Sequence, residues 1–280
     1  MKRILVPVDF SATSVKAFRF ACLLASKVKG SITLYHVAEQ LESPFIDDPA
    51  LRKRYNQQTA ADAIRRMHRM RVKVCGENAR VPVAAVVGKA PVVGNILSFA
   101  STHHMDLVVM GTQGATGIKK VIVGSVAARM AEKTTRPLLL VPARCRMNEP
   151  AAAVFAADPD RATAAHLQQM LGVVKPFKAR VDVVQLVRKT DDPASLEAAS
   201  ASLEAYVKGL KKELRYTALQ PRVVACTDVV DQMERLHKTL RYDLLTMVRR
   251  QKTLLERLTL KSFTQNMAYV TTRPLLVLPE

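Results

Sequence analysis

The 280-residue sequence predicts an α/β protein of two tandem doubly wound domains. Each is expected to be a five-stranded, mostly parallel sheet in the order 3-2-1-4-5 with helices on both faces. Three observations predict this. Short apolar runs alternate with longer helical patterns. The runs are apolar on both faces, as strands buried in a parallel sheet are. The second half of the chain repeats the first. Sliding Asp106–Pro142 by 137 residues lays it over Asp243–Pro279 without a gap, so that MDLVVM becomes YDLLTM and TTRPLLLVP becomes TTRPLLVLP. An offset of 149 lays Val6–Phe10 over Phe155–Pro159, aligning Asp9 with Asp158, and Tyr35–Val37 over Val184–Leu186. The change in offset removes twelve residues between the second and third strands of the second copy. A period this long means two whole domains rather than a solenoid, each large enough to bury a core. The expected boundaries are 1–143, a polar linker at 144–150, and 151–280.

In the first copy, Ile4–Val8 reads as the opening strand and residues 12–29 as the first helix. Ser31–Val37 is the second strand, followed by a helix near 50–75. Val81–Val87, a helix near 91–103, Asp106–Met110, a helix near 124–134 and Pro137–Pro142 complete the alternation. Right-handed crossovers restrict such a chain to doubly wound orders. In those, ligands bind outside the carboxyl ends of the strands where the order reverses, here between the first and fourth. Asp9 ends the first strand and Gly111 ends the fourth, so two features distant in sequence converge on one crevice.

Composition narrows the function classes. No apolar run approaches the ~18 residues that span a bilayer, and the five apolar residues after MKR are too few for a secretory leader. A cytoplasmic protein with no membrane insertion is therefore expected. Cys22, Cys75, Cys145 and Cys226 show no C-x-x-C spacing and read as free thiols. The six histidines show no ligand spacing, so no metal site of protein side chains alone is expected. The formal charge is +19, of which the chain to Arg146 carries +14. Arg52, Lys53, Arg54, Arg65, Arg66, Arg69, Arg71 and Lys73 concentrate this excess on the second helix. They form either a solvated face or a face for nucleic acid or another polyanion. Tryptophan is absent, and no single-strand stacking platform or helix-turn-helix signature is present.

The chemistry concentrates in Gly111-x-x-Gly114-(nine residues)-Gly124-Ser125. Gly111 is expected to let the chain turn off the strand, and Gly114 to allow positive φ or close approach of the backbone to a ligand. Gly124-Ser125 opens the last helix, whose free N–H groups and dipole attract an anion. Ser125 adds a hydroxyl for a phosphate or a metal-bound water. In the second copy the glycines become Val248, Gln251 and Lys261, and only the serine persists, as Ser262. Phosphate held through main-chain amides is not expected there. Asp9 reads either as an acceptor for a ribose hydroxyl or adenine amine, or as a cap of the next helix. Gly88-Lys89-Ala90-Pro91 reads as architectural, and Lys119 and Lys120 as solvated. No Walker lysine follows the glycines and no second carboxylate pairs with Asp9, so no catalytic residue is assigned.

The glycine motif resembles the signature of the ATP-binding branch of the universal stress protein family. The opening Ile4–Phe18, the strand Tyr35–Val37, the GKAP loop and the ending Arg136–Pro142 are also similar to that family. The resemblance is strong in the first copy and weak in the second. It implies a Rossmann-like, UspA-type fold and a stress-response role. It implies adenine near Pro7, Val8 and Val37, with Asp9 on the nucleoside. The phosphates would lie along Met110, Gly111, Gln113 and Gly114 and at Gly124, Ser125 and Val126. The implied ligand is ATP, ADP or AMP, with Mg²⁺ or Mn²⁺ held mainly by the phosphates. It further implies an internal pseudo-dimer through Leu138–Val141 and Leu275–Leu278, with a homodimer as a further association. One regulatory nucleotide per chain with little turnover is the leading expectation. A slow ATPase or nucleotidyl-transfer enzyme, and a scaffold or polyanion binder using the basic second helix, are the alternatives.

Overall fold

The computed structural model describes the chain apart from residues 42–47, 77–79, 113–123, 146–147, 158–162, 189–192, 227–234, 237 and 250–272. It forms two compact units, Met1–Ala143 and Arg144–Glu280.

The first unit runs β1 (Arg3–Pro7), α1 (Ala12–Val28), β2 (Ser31–Val37), α2 (Pro49–Cys75), β3 (Val83–Gly88), α3 (Val92–Thr102), β4 (Leu107–Gly111), α4 (Ser125–Lys133) and β5 (Leu138–Val141). All strand pairings are parallel, in the expected order β3-β2-β1-β4-β5. Helices cover both faces: α1 packs with α2, and α3 with α4. β4 and β5 are almost wholly buried, but β3 is only half-buried because it is the edge strand. The reading of every run as buried on both faces is corrected there.

Helix α1 presents Ala17, Phe18, Ala21, Leu24 and Ala25 as one apolar stripe, each fully buried. Burial of a side chain such as Phe18 or Leu24 contributes about 1.5–3 kcal/mol. Its start is fixed by Ser11 Oγ, which accepts from Ser14 N at 3.2 Å; such caps contribute ~1 kcal/mol. Asp48 caps α2 in the same way, accepting from Ala50 N at 2.8 Å and Leu51 N at 3.2 Å, with Pro49 in the first helical turn.

The second unit contains β6 (Ala152–Ala157), α5 (Ala164–Val174), β7 (Arg180–Arg188), α6 (Pro193–Leu214), β8 (Leu219–Cys226), β9 (Leu244–Val248) and β10 (Leu275–Leu278). Its strands pair in parallel as β8-β7-β6-β9-β10, the order of the first unit repeated. The duplication is visible in single hydrogen bonds. Asp106 Oδ2 accepts from Lys2 N at 2.7 Å and Arg3 N at 2.9 Å, clipping the start of β1 to β4. Its counterpart Asp243 accepts from Ala151 N at 2.9 Å and Ala152 N at 3.1 Å. The Thr112 N to Val141 O bond of 3.1 Å recurs as Arg249 N to Leu278 O at 2.8 Å. For Asp106, burial pushes the carboxyl up, but the Arg3 and Lys2 amides, the terminal amine and the Arg3 charge outweigh it. The net effect holds the group below the usual aspartate value.

Candidate functional site

The carboxyl ends of β1, β2 and β4 meet the first turns of α1, α3 and α4 in a cleft of about 320 Å³. This lies at the low end of the ~300–1,000 Å³ of small-molecule pockets. Of the residues singled out by sequence, Pro7, Val8, Asp9, Val37, Met110, Gly111, Gly124, Ser125 and Val126 line it together. Gln113 and Gly114 lie outside the described residues, as do Lys119 and Lys120.

Each wall follows from its element. β1 delivers Pro7 and Val8, both buried, and then exposed Asp9. Asp9 does not cap α1: its Oδ1 accepts from Ser11 N at 3.0 Å, and Ser11 is the cap. Asp9 lines the cleft beside that cap. β2 delivers Tyr35, His36 and Val37. His36 Nδ1 donates to the Val8 carbonyl at 2.8 Å, so in the neutral ring Nε2 is an acceptor. The His36 ring packs on Phe10 at a centroid distance of 4.6 Å, and the Arg66 guanidinium from α2 lies 3.8 Å from the centroid of the same Phe10 ring. Burial pushes the Tyr35 phenol above its usual value.

Gly111 is the last residue of β4, and the described geometry corrects its expected role. Its φ is not positive, so the turn does not require glycine. A Cβ there would lie 2.8 Å from Thr13 Cβ and 2.9 Å from Thr13 C and Oγ1. Glycine is therefore needed because the first turn of α1 passes against the end of β4. Gly124 caps α4 with φ −59° and ψ 148°, and no side chain caps that helix. Its N–H donates to Thr112 O at 2.5 Å, tying the helix start to the end of β4. The amides of the first turn, at Ser125, Val126 and Ala127, have no intrahelical acceptor. They line the cleft with the positive end of the helix dipole. Anionic groups fit this end of the cleft, and an apolar planar group fits the end formed by Val8, Val37, Val92 and Ile96.

Ser14, Tyr35, His36, Val92, Ile96, Thr112 and Ala127 also line the cleft and were missed by sequence reasoning. Tyr35 and His36 were within reach, since they precede Val37 on the same strand. Val92 and Ile96 follow the Gly-Lys-Ala-Pro loop, which was read as architectural. Gly88 does serve packing: a Cβ there would sit 2.0 Å from Tyr35 Oη. Among the described residues no group of three or more His, Cys, Asp or Glu could hold a metal ion.

In the second unit the position of Gly111 is Val248, the last residue of β9. Helix α5 starts from Thr163, whereas the residue matching the α1 cap Ser11 is Asp160. By the repeat, α5 thus begins three residues later than α1 does. Asp158, Gln251, Lys261 and Ser262 lie outside the described residues.

The sequence comparisons cover about half of the chain, and a likeness of fold spans nearly all of it. The profile of the Universal stress protein family matches residues 1–142. Universal stress protein MJ0531 of Methanocaldococcus jannaschii is 28% identical over 145 residues, covering 50% of this chain and 81% of the relative. Universal stress protein MJ0577 of the same organism is 24% identical over 154 residues, covering 50% of this chain and 94% of the relative. The crystal structure of a universal stress protein from Archaeoglobus fulgidus covers 99% of this chain and 98% of its own, with a TM-score of 0.71 at 15% identity. That last likeness is one of fold.

Proposed function

The chain belongs to the universal stress protein family, and from that premise we propose that its first unit binds one adenine nucleotide as a regulatory ligand with little turnover. The observation that carries this reading is the convergence of Asp9, Gly111, Gly124 and Ser125 on one cleft with a helix start that no side chain caps. The phosphates are read at the α4 amides and Ser125, beside the glycine end of β4. The adenine is read between Val8, Val37 and Ile96, with Asp9 on the ribose. Mg²⁺ or Mn²⁺, held mainly by the phosphates, would neutralise part of their charge. The second unit is read as a degenerate copy, because Val248 replaces Gly111 and, in sequence, Lys261 replaces Gly124. A cytoplasmic site of action accompanies this reading.

The test is nucleotide content. Protein purified without added nucleotide is denatured, and released nucleotides are separated by chromatography. About one adenine nucleotide per chain, retained through gel filtration, is expected; an empty protein that gives no heat with ATP and Mg²⁺ overturns the reading. Slow release of ADP in a single-turnover assay would move the assignment to a slow ATPase.

One observation favours a second reading. Helix α2 exposes Lys53, Arg54, Arg65, Arg66, Arg69 and Lys73 together with the apolar side chains Leu51, Tyr55 and Val72. This face suits a polyanion. Binding to a DNA duplex that weakens steeply with salt, and is lost on reversing Arg65, Arg69 and Lys73 to glutamate, supports it; salt-independent or absent binding excludes it.

A further inference from the structure

The first unit brings two of the four cysteines together. Cys22 lies on α1, and Cys75 is the last residue of α2. Their Sγ atoms are 2.7 Å apart in hydrogen-bond contact, although 53 positions separate them in sequence. Both side chains are half-buried, whereas Cys145 and Cys226 are buried. The expectation of four unconnected thiols rested on spacing alone, and this pair is made by helix packing.

We propose that Cys22 and Cys75 form a dithiol site that hydroperoxides oxidise to an intramolecular disulfide. The sulfurs need to approach by only about 0.7 Å to reach the ~2.05 Å of an S–S bond. The two thiols have unequal roles. The hydrogen bond from Cys22 lowers the Cys75 pKa, burial opposes this, and the Arg71 guanidinium one turn back lowers it further. The hydrogen bond to Cys75, burial and the Cys75 charge all push the Cys22 thiol up. Cys75 is therefore the nucleophile and Cys22 the resolving thiol. Cys22 and Cys75 are both partly exposed, and exposed Gly76 follows Cys75 with φ 80°.

The chemistry balances with hydroperoxide as oxidant. The Cys75 thiolate attacks the terminal peroxide oxygen, the O–O bond breaks, and the alkoxide or hydroxide leaves and takes up a proton. Cys75 is then a sulfenic acid. Cys22, as it loses its proton, attacks the sulfenic sulfur; the S–S bond forms, the S–O bond breaks and water leaves. In sum, two thiols and one hydroperoxide give one disulfide, one alcohol (or water) and one further water. The link fastens α1, which supplies Ser14 to the cleft, to α2, which supplies Arg66 over Phe10.

The experiment uses the full chain, reduced and then freed of reductant. It is treated with near-stoichiometric hydrogen peroxide, alkylated, and mapped as peptides without reduction. The expected result is loss of two of the four thiols and a single cross-linked species joining the Cys22 and Cys75 peptides within one chain. Retention of all four thiols, or losses that map to Cys145, Cys226 or links between chains, overturns the proposal. Cys22→Ser gives a second readout: peroxide is expected to leave Cys75 as a sulfenic acid trapped by dimedone. A Cys22→Ser protein that yields no adduct under conditions that oxidise the parent contradicts the assigned roles.

Discussion

Gly111→Ala separates two explanations of the first motif glycine, a turn and a close approach. The added Cβ would lie 2.8 Å from Thr13 Cβ and 2.9 Å from Thr13 C and Oγ1. Relaxed carbon contacts sit at about 3.5–4.0 Å. Thr13 is 6% exposed and its backbone belongs to the first turn of α1, so a rotamer change relieves only the Oγ1 contact. The helix start or the end of β4 must shift. Overpacking of this kind costs about 1–3 kcal/mol, or roughly 2–10 °C in the melting of a unit this size. Ser14 lines the cleft from that same turn, so affinity for adenine nucleotide is expected to fall with stability. Denaturant unfolding followed by calorimetric titration measures both. Thr13→Gly in the alanine background removes the Cβ and Oγ1 contacts but leaves the backbone carbon. It is therefore expected to recover part of the loss after correction for Thr13→Gly alone. Wild-type stability and affinity in Gly111→Ala, or losses that simply add in the double variant, would refute the close-approach explanation.

Three further changes test other parts of the molecule. Ser125→Ala removes one hydroxyl from the cleft and is expected to weaken nucleotide binding about 2- to 10-fold, the equivalent of one ordinary hydrogen bond, without changing the melting temperature; calorimetry and a thermal scan check this. Asp106→Asn tests the strand clip by pH. The folded pKa of Asp106 is depressed, so its contribution is full above the unfolded value near ~3.9 and is lost as pH falls through the folded value. The stability gap between wild type and Asp106→Asn, from urea titrations at a series of pH values, is expected to be constant near neutrality and to close in acid; a gap that widens in acid reverses the sign. Asp182→Ala tests the second unit: Asp182 is fully buried and accepts from Arg180 Nε at 3.2 Å and Arg222 Nε at 2.6 Å. Both arginines are partly exposed and can rehydrate, so a loss of about 2 kcal/mol is expected, read as earlier melting with nucleotide affinity unchanged.

Much of the fold was legible because apolar runs end at residues that cannot continue them. Asp9 and Gly111 marked two strand ends, and the repeat placed Asp243 at the start and Val248 at the end of β9, as Asp106 and Gly111 flank β4. What was not legible depends on partners distant in the chain. The requirement for Gly111 is set by Thr13 on another element, not by its own backbone. The partial exposure of β3 follows from its edge position, which its apolar sequence does not encode. Ser11 rather than Asp9 caps α1, because the helix begins one residue beyond the turn that Asp9 closes. Tyr35 and His36 join the cleft because β2 lies beside β1 in register, with Tyr35 opposite Pro7. Cys22 and Cys75 meet only once α1 and α2 have packed.

Calorimetric titration of ATP with Mg²⁺ into nucleotide-free wild type and Gly124→Lys decides whether the first unit alone holds the ligand. The substitution gives the first copy the residue that the second carries as Lys261. Saturation at one nucleotide per chain in wild type, with binding abolished in Gly124→Lys, is the predicted result. Two nucleotides per chain, or binding that survives the lysine, would contradict it.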